Sequence, residues 1–168
     1  VPYSMTPAPG TTHQNISGFL FASLYNHLKD KPCMVFHAPY DVRLPENDEP
    51  DNEIKTVVQP DLLVVCDKSK IDSRGLKGAP DFIIEILSPG SAVKDMKEKL
   101  ALYEKHGVKE YWVIHPDETV IEVFLLQKNK CYGKPGVYSF SDLVPVAILE
   151  NHSIDMSEYK SVKVDYEK

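Results

Sequence analysis

Cysteine is scarce in this chain of 168 residues: Cys33, Cys66 and Cys131 are its three, and no CxxC pair occurs. That pattern supports neither a zinc knuckle nor a disulfide framework, so reduced thiols in a cytoplasmic protein are the expectation. No apolar run approaches the roughly 18 residues of a membrane span, and no charged-apolar-small succession marks a signal peptide. Basic charge is not in excess, with 19 Lys and Arg against 25 Asp and Glu and a net charge of -6. A basic nucleic-acid coat over the whole surface is therefore absent. There is no GxSxG elbow, no P-loop and no HExxH pair, which removes three common routes to catalysis. The chain opens on Val1 rather than Met and is expected to lack its natural N-terminal segment.

What is present describes one folded unit. The sequence is 42% hydrophobic, enough for a core, and its length suits a single domain. The acidity is local. Asp41, Glu46, Asp48, Glu49, Asp51 and Glu53 crowd around Arg43 alone, so net charge says little about the field elsewhere.

The apolar spacing of Ile16, Phe19, Leu20, Leu24 and Leu28 predicts an amphipathic helix over 13–29, capped by Thr11 or Thr12. Residues 34–44 and 57–66 read as strands. Pro39 and Pro60 mark bulges or edges within them. Residues 67–80 read as a polar loop. Phe82-Ile83-Ile84-Glu85-Ile86-Leu87 is apolar on both faces, as in a central strand. A helix from Ser91 to His106, stopped by Gly107, leads to a hairpin of 110–115 with 119–126. Short strands and turns fill 127–168. The expected fold is a single α/β (α+β) domain.

Glu85 stands in the middle of the most apolar strand. An isolated buried carboxylate costs several kcal/mol unless it is paired or holds a metal. A structural Lys or Arg partner is the plainer account; a divalent-cation ligand is the sharper one. Asp61 follows Pro60 at the head of the run Leu62-Leu63-Val64-Val65, where a bend can aim it into a cleft. Otherwise it is a solvated aspartate at a strand start. Two acids on adjacent strands would suit Mg²⁺, which takes one or two carboxylates together with water and phosphate oxygens, as in metal-assisted phosphodiester hydrolysis. Asp95, Lys99 and Tyr103 fall four apart on one helical stripe. Lys99 could reach the carboxylates, or simply pair with Asp95 for about 0.3–0.5 kcal/mol.

The run Gln59-Pro60-Asp61-Leu62, Gly78-Ala79-Pro80-Asp81, Ile84-Glu85-Ile86-Leu87-Ser88-Pro89, Asp95, Lys99, Tyr103, Gly107-Val108 and Glu110-Tyr111-Trp112 resembles the Uma family, described as restriction endonucleases. That family lies within the PD-(D/E)xK nuclease superfamily. The resemblance extends from Met5 and His13 to the hairpin near Leu126. It implies a restriction-endonuclease-like mixed central sheet flanked by helices. It also implies a Mg²⁺-dependent (or Mn²⁺-dependent) endonuclease acting on nucleic acid, DNA in the first instance. Asp61 and Glu85 match the two metal carboxylates, and Lys99 matches a lysine carried on the following helix. The superfamily's usual lysine position is here Leu87. His13 matches a family histidine, either a polar contact facing the cleft or a helix-start structural contact. Asp95 and Tyr103 are accessory candidates. The family carries a further acidic residue upstream of Tyr3. A homodimer is implied by resemblance to nucleases that cut two strands.

Lys68, Lys70, Arg74 and Lys77 form a basic stretch expected to meet phosphates; solvated surface charge is the alternative. Two other readings of the whole stand beside the nuclease. One is an inactive nuclease-like module that binds nucleic acid or assembles without cutting. The other is a structural domain in which Glu85 and Lys99 form a buried ion pair.

Overall fold

The computed structural model describes residues 10–47, 49–88 and 93–161. In chain order the elements are α1 (Thr11–Leu28), β1 (Met34–His37), β2 (Val42–Arg43), β3 (Val57–Val58), β4 (Leu62–Val65), β5 (Ile71–Asp72), β6 (Gly75–Lys77), β7 (Phe82–Ile86), α2 (Val93–Lys105), β8 (Glu110–His115), β9 (Val120–Leu125), β10 (Gly136–Ser139), β11 (Leu143–Pro145) and β12 (Ser153–Asp155). Six strands form the main sheet in the order β1-β4-β7-β8-β9-β10. The β7–β8 pair is parallel and its other pairs are antiparallel. A parallel pair needs a crossover, and α2 supplies it. This is the mixed α+β architecture expected from the sequence.

Each face of the sheet carries its own apolar layer. Leu62, Val64, Phe82, Ile84, Trp112 and Ile114 pack against Ile16, Leu20 and Leu24 of α1. Leu63, Val65, Ile83, Tyr111 and Val113 form the opposite layer with Tyr103 of α2 and with Val42, Leu44 and Leu76. The period-2 alternation of β7 therefore sends Ile84 toward α1 and Glu85 toward α2.

The helix ends follow local chemistry. Gly10 is the N-cap of α1 and no side chain caps it, so Thr11 and Thr12 lie inside the helix rather than capping it. At the far end of α2, Val108 N–H donates to Tyr103 O at 3.0 Å and Gly107 N–H donates to Glu104 O at 3.0 Å. Gly107 takes φ 78°, completing a Schellman stop as Gly107 predicted. The expected helix start at Ser91 lies outside the described residues.

Three of the expected strands and loops need correction. Residues 34–44 are two strands in different sheets, separated by a cis Ala38–Pro39 peptide. Residues 57–66 likewise divide at Pro60 into β3 and β4, because proline offers no N–H to continue a ladder. The polar stretch 67–80 is ordered as a 3₁₀ turn followed by β5 and β6. These pieces make a second sheet, β3-β2-β6-β5. Gly75 is required there: at φ 117° an added Cβ would collide with the Asp41 carbonyl.

Cys33 and Cys66 are joined by a disulfide. The ladder explains it. Met34 lies opposite Val65, so the next pair outward in the same register is Cys33 and Cys66. The expectation of three reduced thiols is wrong for these two, and with it goes the cysteine argument for a cytoplasmic protein. Cys131 remains a free, exposed thiol. Among the described residues no helix is long and apolar enough to cross a membrane.

Candidate active site

The register of the main sheet brings the two predicted carboxylates together. Leu62 lies opposite Ile84; one step further along that antiparallel register, Asp61 faces Glu85. Both stand at the end of the sheet where the first turn of α1 and the first turns of α2 arrive.

Asp61 is held from two directions. Its Oδ2 accepts the Ile86 backbone N–H at 2.7 Å. Its Oδ1 is 3.1 Å from His13 Nε2, and both side chains are largely buried. The Asp61 carbonyl accepts Ala38 N–H at 3.0 Å, so the main chain stays tied to the neighbouring strand while the side chain turns toward β7. His13 thus contacts Asp61 from the first turn of α1. Its Nδ1 is buried and has no hydrogen-bond partner among the described residues.

Glu85 is 5% exposed. Its Oε1 accepts the Tyr103 hydroxyl at 2.7 Å, and its Oε2 lies 3.2 Å from Lys99 Nζ. Burial raises its pKa above the usual carboxylate value, and the negative charge of Asp61 adds to the rise; Lys99 and Tyr103 pull against it. Burial of Lys99 works to lower its pKa, but Glu85, Asp95 and Asp61 outweigh burial and leave it raised. The lysine is therefore a held ammonium. Burial raises the Tyr103 pKa strongly, and Glu85 adds to it, so this phenol stays a donor. Lys99 also lies 3.9 Å from the exposed Asp95. The helical stripe Asp95, Lys99 and Tyr103 is thus realised, with Lys99 between a buried and an exposed acid.

The basic stretch divides and does not gather at these carboxylates. Lys68 leaves from the far end of β4, beyond a strand of about 13 Å, and faces a recess with Lys29 and Lys31. Lys70 donates to the Ala79 carbonyl at 3.0 Å. Arg74 pairs with Asp51, and Lys77 lies 3.6 Å from the same carboxyl. Asp51 also accepts from Arg43 Nη1 at 2.5 Å, while Arg43 Nη2 donates to Asp72 at 2.7 Å. The acidic loop predicted around Asp51 is folded onto the small sheet as the internal counter-charge of that stretch.

Among the described residues, two buried acids lie outside the site. Asp81 accepts Cys66 N–H at 2.8 Å and pairs with Lys109 at 2.7 Å, at the far end of β7. Glu110 is 0% exposed and accepts the Trp112 indole N–H at 2.7 Å and Ile148 N–H at 2.9 Å. It fastens the C-terminal segment beneath the sheet. The Glu-Tyr-Trp spacing carried this pairing, because residues two apart in a strand share a face. The Ile86 amide bond to Asp61 had no sequence signal, since it depends on strand register.

The site thus consists of two acids facing across adjacent strands of a mixed sheet and a lysine delivered by the crossover helix. The family described as "Uma2: Putative restriction endonuclease" matches residues 1–157. The chain belongs to that family. A solved structure from Anabaena variabilis ATCC 29413, described as a putative nuclease belonging to DUF820, superposes with a TM-score of 0.71 at 22% identity, covering 92% of this chain and 83% of that one. That likeness establishes the fold. No curated protein matches the chain.

Proposed function

We propose that the protein is a Mg²⁺-dependent endonuclease, with Mn²⁺ as a substitute, that hydrolyses phosphodiester bonds of DNA. The observation that carries this reading is the facing pair Asp61 and Glu85, with Lys99 Nζ 3.2 Å from Glu85.

The donor set suits such a cation. Among the described residues no group of three or more His, Cys, Asp and Glu side chains is gathered as a metal site, which argues against a closed zinc centre. Two adjacent carboxylates are what Mg²⁺ takes while keeping positions for water and substrate phosphate. Bound there, the cation would supply Lewis acidity toward a phosphoryl oxygen and acidify a water. Asp61 and Glu85 would hold it. Lys99, being protonated, would orient the attacking water and offset charge growing on the phosphate rather than accept a proton. His13 would fix the Asp61 carboxylate. The exposed Lys94 and Lys97 on α2 stand on the site's own helix and would meet flanking phosphates. Two copies would be needed to cut both strands at once, and the mass of the free protein tests that.

A second reading, a module that binds nucleic acid without cutting, draws on Leu87, which is half-buried where the superfamily keeps its lysine. Calorimetry with Mg²⁺ and Mn²⁺, wild type beside Glu85→Ala, followed by cleavage assays on DNA and RNA, separates the two. Metal binding lost in the variant, with cleavage by the wild type, supports the enzyme. Binding of nucleic acid with no cleavage under any metal supports the module.

A further inference from the structure

Each of the four carboxylate oxygens at the site already has one protein neighbour, and the neighbours are of two kinds. Asp61 Oδ2 is bound by the Ile86 backbone amide and Glu85 Oε1 by the Tyr103 hydroxyl, each at 2.7 Å. Neither donor can leave: one is main chain, and the other belongs to a side chain that is 0% exposed and stacked edge-on against Tyr111 at 5.0 Å. Asp61 Oδ1 and Glu85 Oε2 face His13 at 3.1 Å and Lys99 at 3.2 Å. These are longer contacts, and Lys99 is a flexible, one-third exposed side chain that a cation can displace. Each carboxylate therefore has one oxygen held by a fixed donor, and on Glu85 the other oxygen faces only the displaceable Lys99 among the described residues.

The geometry points to Tyr103 as a specificity-determining residue of the cation site: by holding Glu85 Oε1 it leaves Oε2 as the one Glu85 oxygen open to a cation, which favours Mg²⁺ and Mn²⁺ over Ca²⁺. This rests on Asp61 and Glu85 being cation ligands. Ca²⁺ takes six to eight oxygens and readily uses both oxygens of one carboxylate, whereas Mg²⁺ keeps an octahedron with one or two carboxylates and several waters. Two single-oxygen ligands leave about four octahedral positions, a good count for Mg²⁺ and a poor start for Ca²⁺. The backbone amide does the same on Asp61 and cannot be altered by substitution. Tyr103 can: Tyr103→Phe keeps the ring in place against Tyr111 and frees Oε1.

The test is titration calorimetry with Mn²⁺ and with Ca²⁺, on wild type and on Tyr103→Phe. The wild type is expected to prefer Mn²⁺. In the variant, Mn²⁺ affinity is expected to fall about tenfold, the usual loss when a ligand's supporting hydrogen bond is removed, while Ca²⁺ affinity holds or rises. Affinities for both ions that stay unchanged or move together would overturn the inference while leaving Asp61 and Glu85 as ligands. A wild type that binds neither ion overturns that reading and this one with it. Infrared difference spectra of the wild type with Mn²⁺ give an independent answer should Tyr103→Phe fail to fold. Single-oxygen coordination widens the gap between the two carboxylate stretches, and two-oxygen coordination narrows it. A narrowed gap is the overturning result.

Discussion

Lys99 Nζ lies 3.2 Å from Glu85 Oε2, although Asp95, one helical turn away on the same stripe, offers an exposed carboxylate at 3.9 Å. The shorter contact is to the buried acid, where the lower dielectric makes the attraction stronger. The ordinary helix pair and the contact to Glu85 thus coexist in one side chain. Replacing Lys99 by Ala leaves Glu85 less compensated and is expected to cost about 1–2 kcal/mol, between the values for an exposed pair and a fully buried one, because Lys99 is partly solvated. Mg²⁺ affinity should hold or rise, since a competing positive charge is gone. Cleavage should fall about 10²–10³-fold, the scale of losing one charge-stabilising donor. Calorimetry and single-turnover cleavage on the same preparation check both. Unchanged turnover would remove Lys99 from the chemistry.

Glu85→Gln separates ligand from scaffold. The amide can still accept from Tyr103, so packing is kept while the buried charge is lost. Thermal stability without metal near neutral pH is expected to rise, because burial disfavours the charged form of Glu85, and the partly solvated Lys99 left behind takes back only part of the gain. The stabilisation that Mg²⁺ gives the wild type by mass action should vanish. A melting curve with and without Mg²⁺ reads both effects. A Gln variant that Mg²⁺ still stabilises fully would show that the cation does not need this carboxylate.

The same carboxyl sets a pH dependence of known sign. Its folded pKa lies above the unfolded value because of burial. The stability it contributes is complete below the unfolded pKa and is lost as pH rises through the folded one. Glu110, raised mainly by burial as well, acts in the same direction. These two acids therefore pull stability down as pH rises from the ordinary carboxylate range, against the half-buried His152, whose pKa is lowered to about 4 and which pulls it up there; Glu85→Gln should remove the share of the slope that belongs to Glu85. Cation affinity should run the opposite way, strengthening with pH because proton and metal compete for Glu85. Melting temperature and Mg²⁺ affinity measured across the acidic range check the two slopes. An affinity that is flat with pH would count against Glu85 as ligand.

How much of this could be read in advance depended on the range of the interaction. β7 was legible because five consecutive residues are buried on both faces, and an acid inside such a run announces itself. The stripe Asp95, Lys99 and Tyr103 was legible because helical spacing is local. The small sheet was not: β2, β3 and β5 are two residues each, too short to show a period, and β2 pairs with β6 across more than thirty residues of chain. For the same reason Arg74 and Lys77 looked free for phosphate. Their neutralisation by Asp51 exists only once the acidic loop folds back. His13 reaches Asp61 because α1 begins at the same end of the sheet, a placement no local pattern contains.

The disulfide gives a prediction that the sequence pointed away from. Cys33 precedes edge strand β1 and Cys66 follows β4, so the bond closes a loop with a sequence separation of 33 containing β2, β3 and the acidic segment. Constraining the unfolded chain over such a loop is worth about 3–4 kcal/mol on the loop-closure model, or very roughly 6–12 °C in melting temperature for a domain of this size. Thiol titration of the unfolded, unreduced chain should find only Cys131, and reduction should raise the count to include Cys33 and Cys66. Reduction should lower the melting temperature, and Cys33→Ser with Cys66→Ser should reproduce that drop. Cation binding should survive both treatments, because Asp61 stands at the opposite end of β4 from Cys66. Three reactive thiols without reductant, or a melting temperature indifferent to it, would mean that strand pairing alone holds β1 to the sheet.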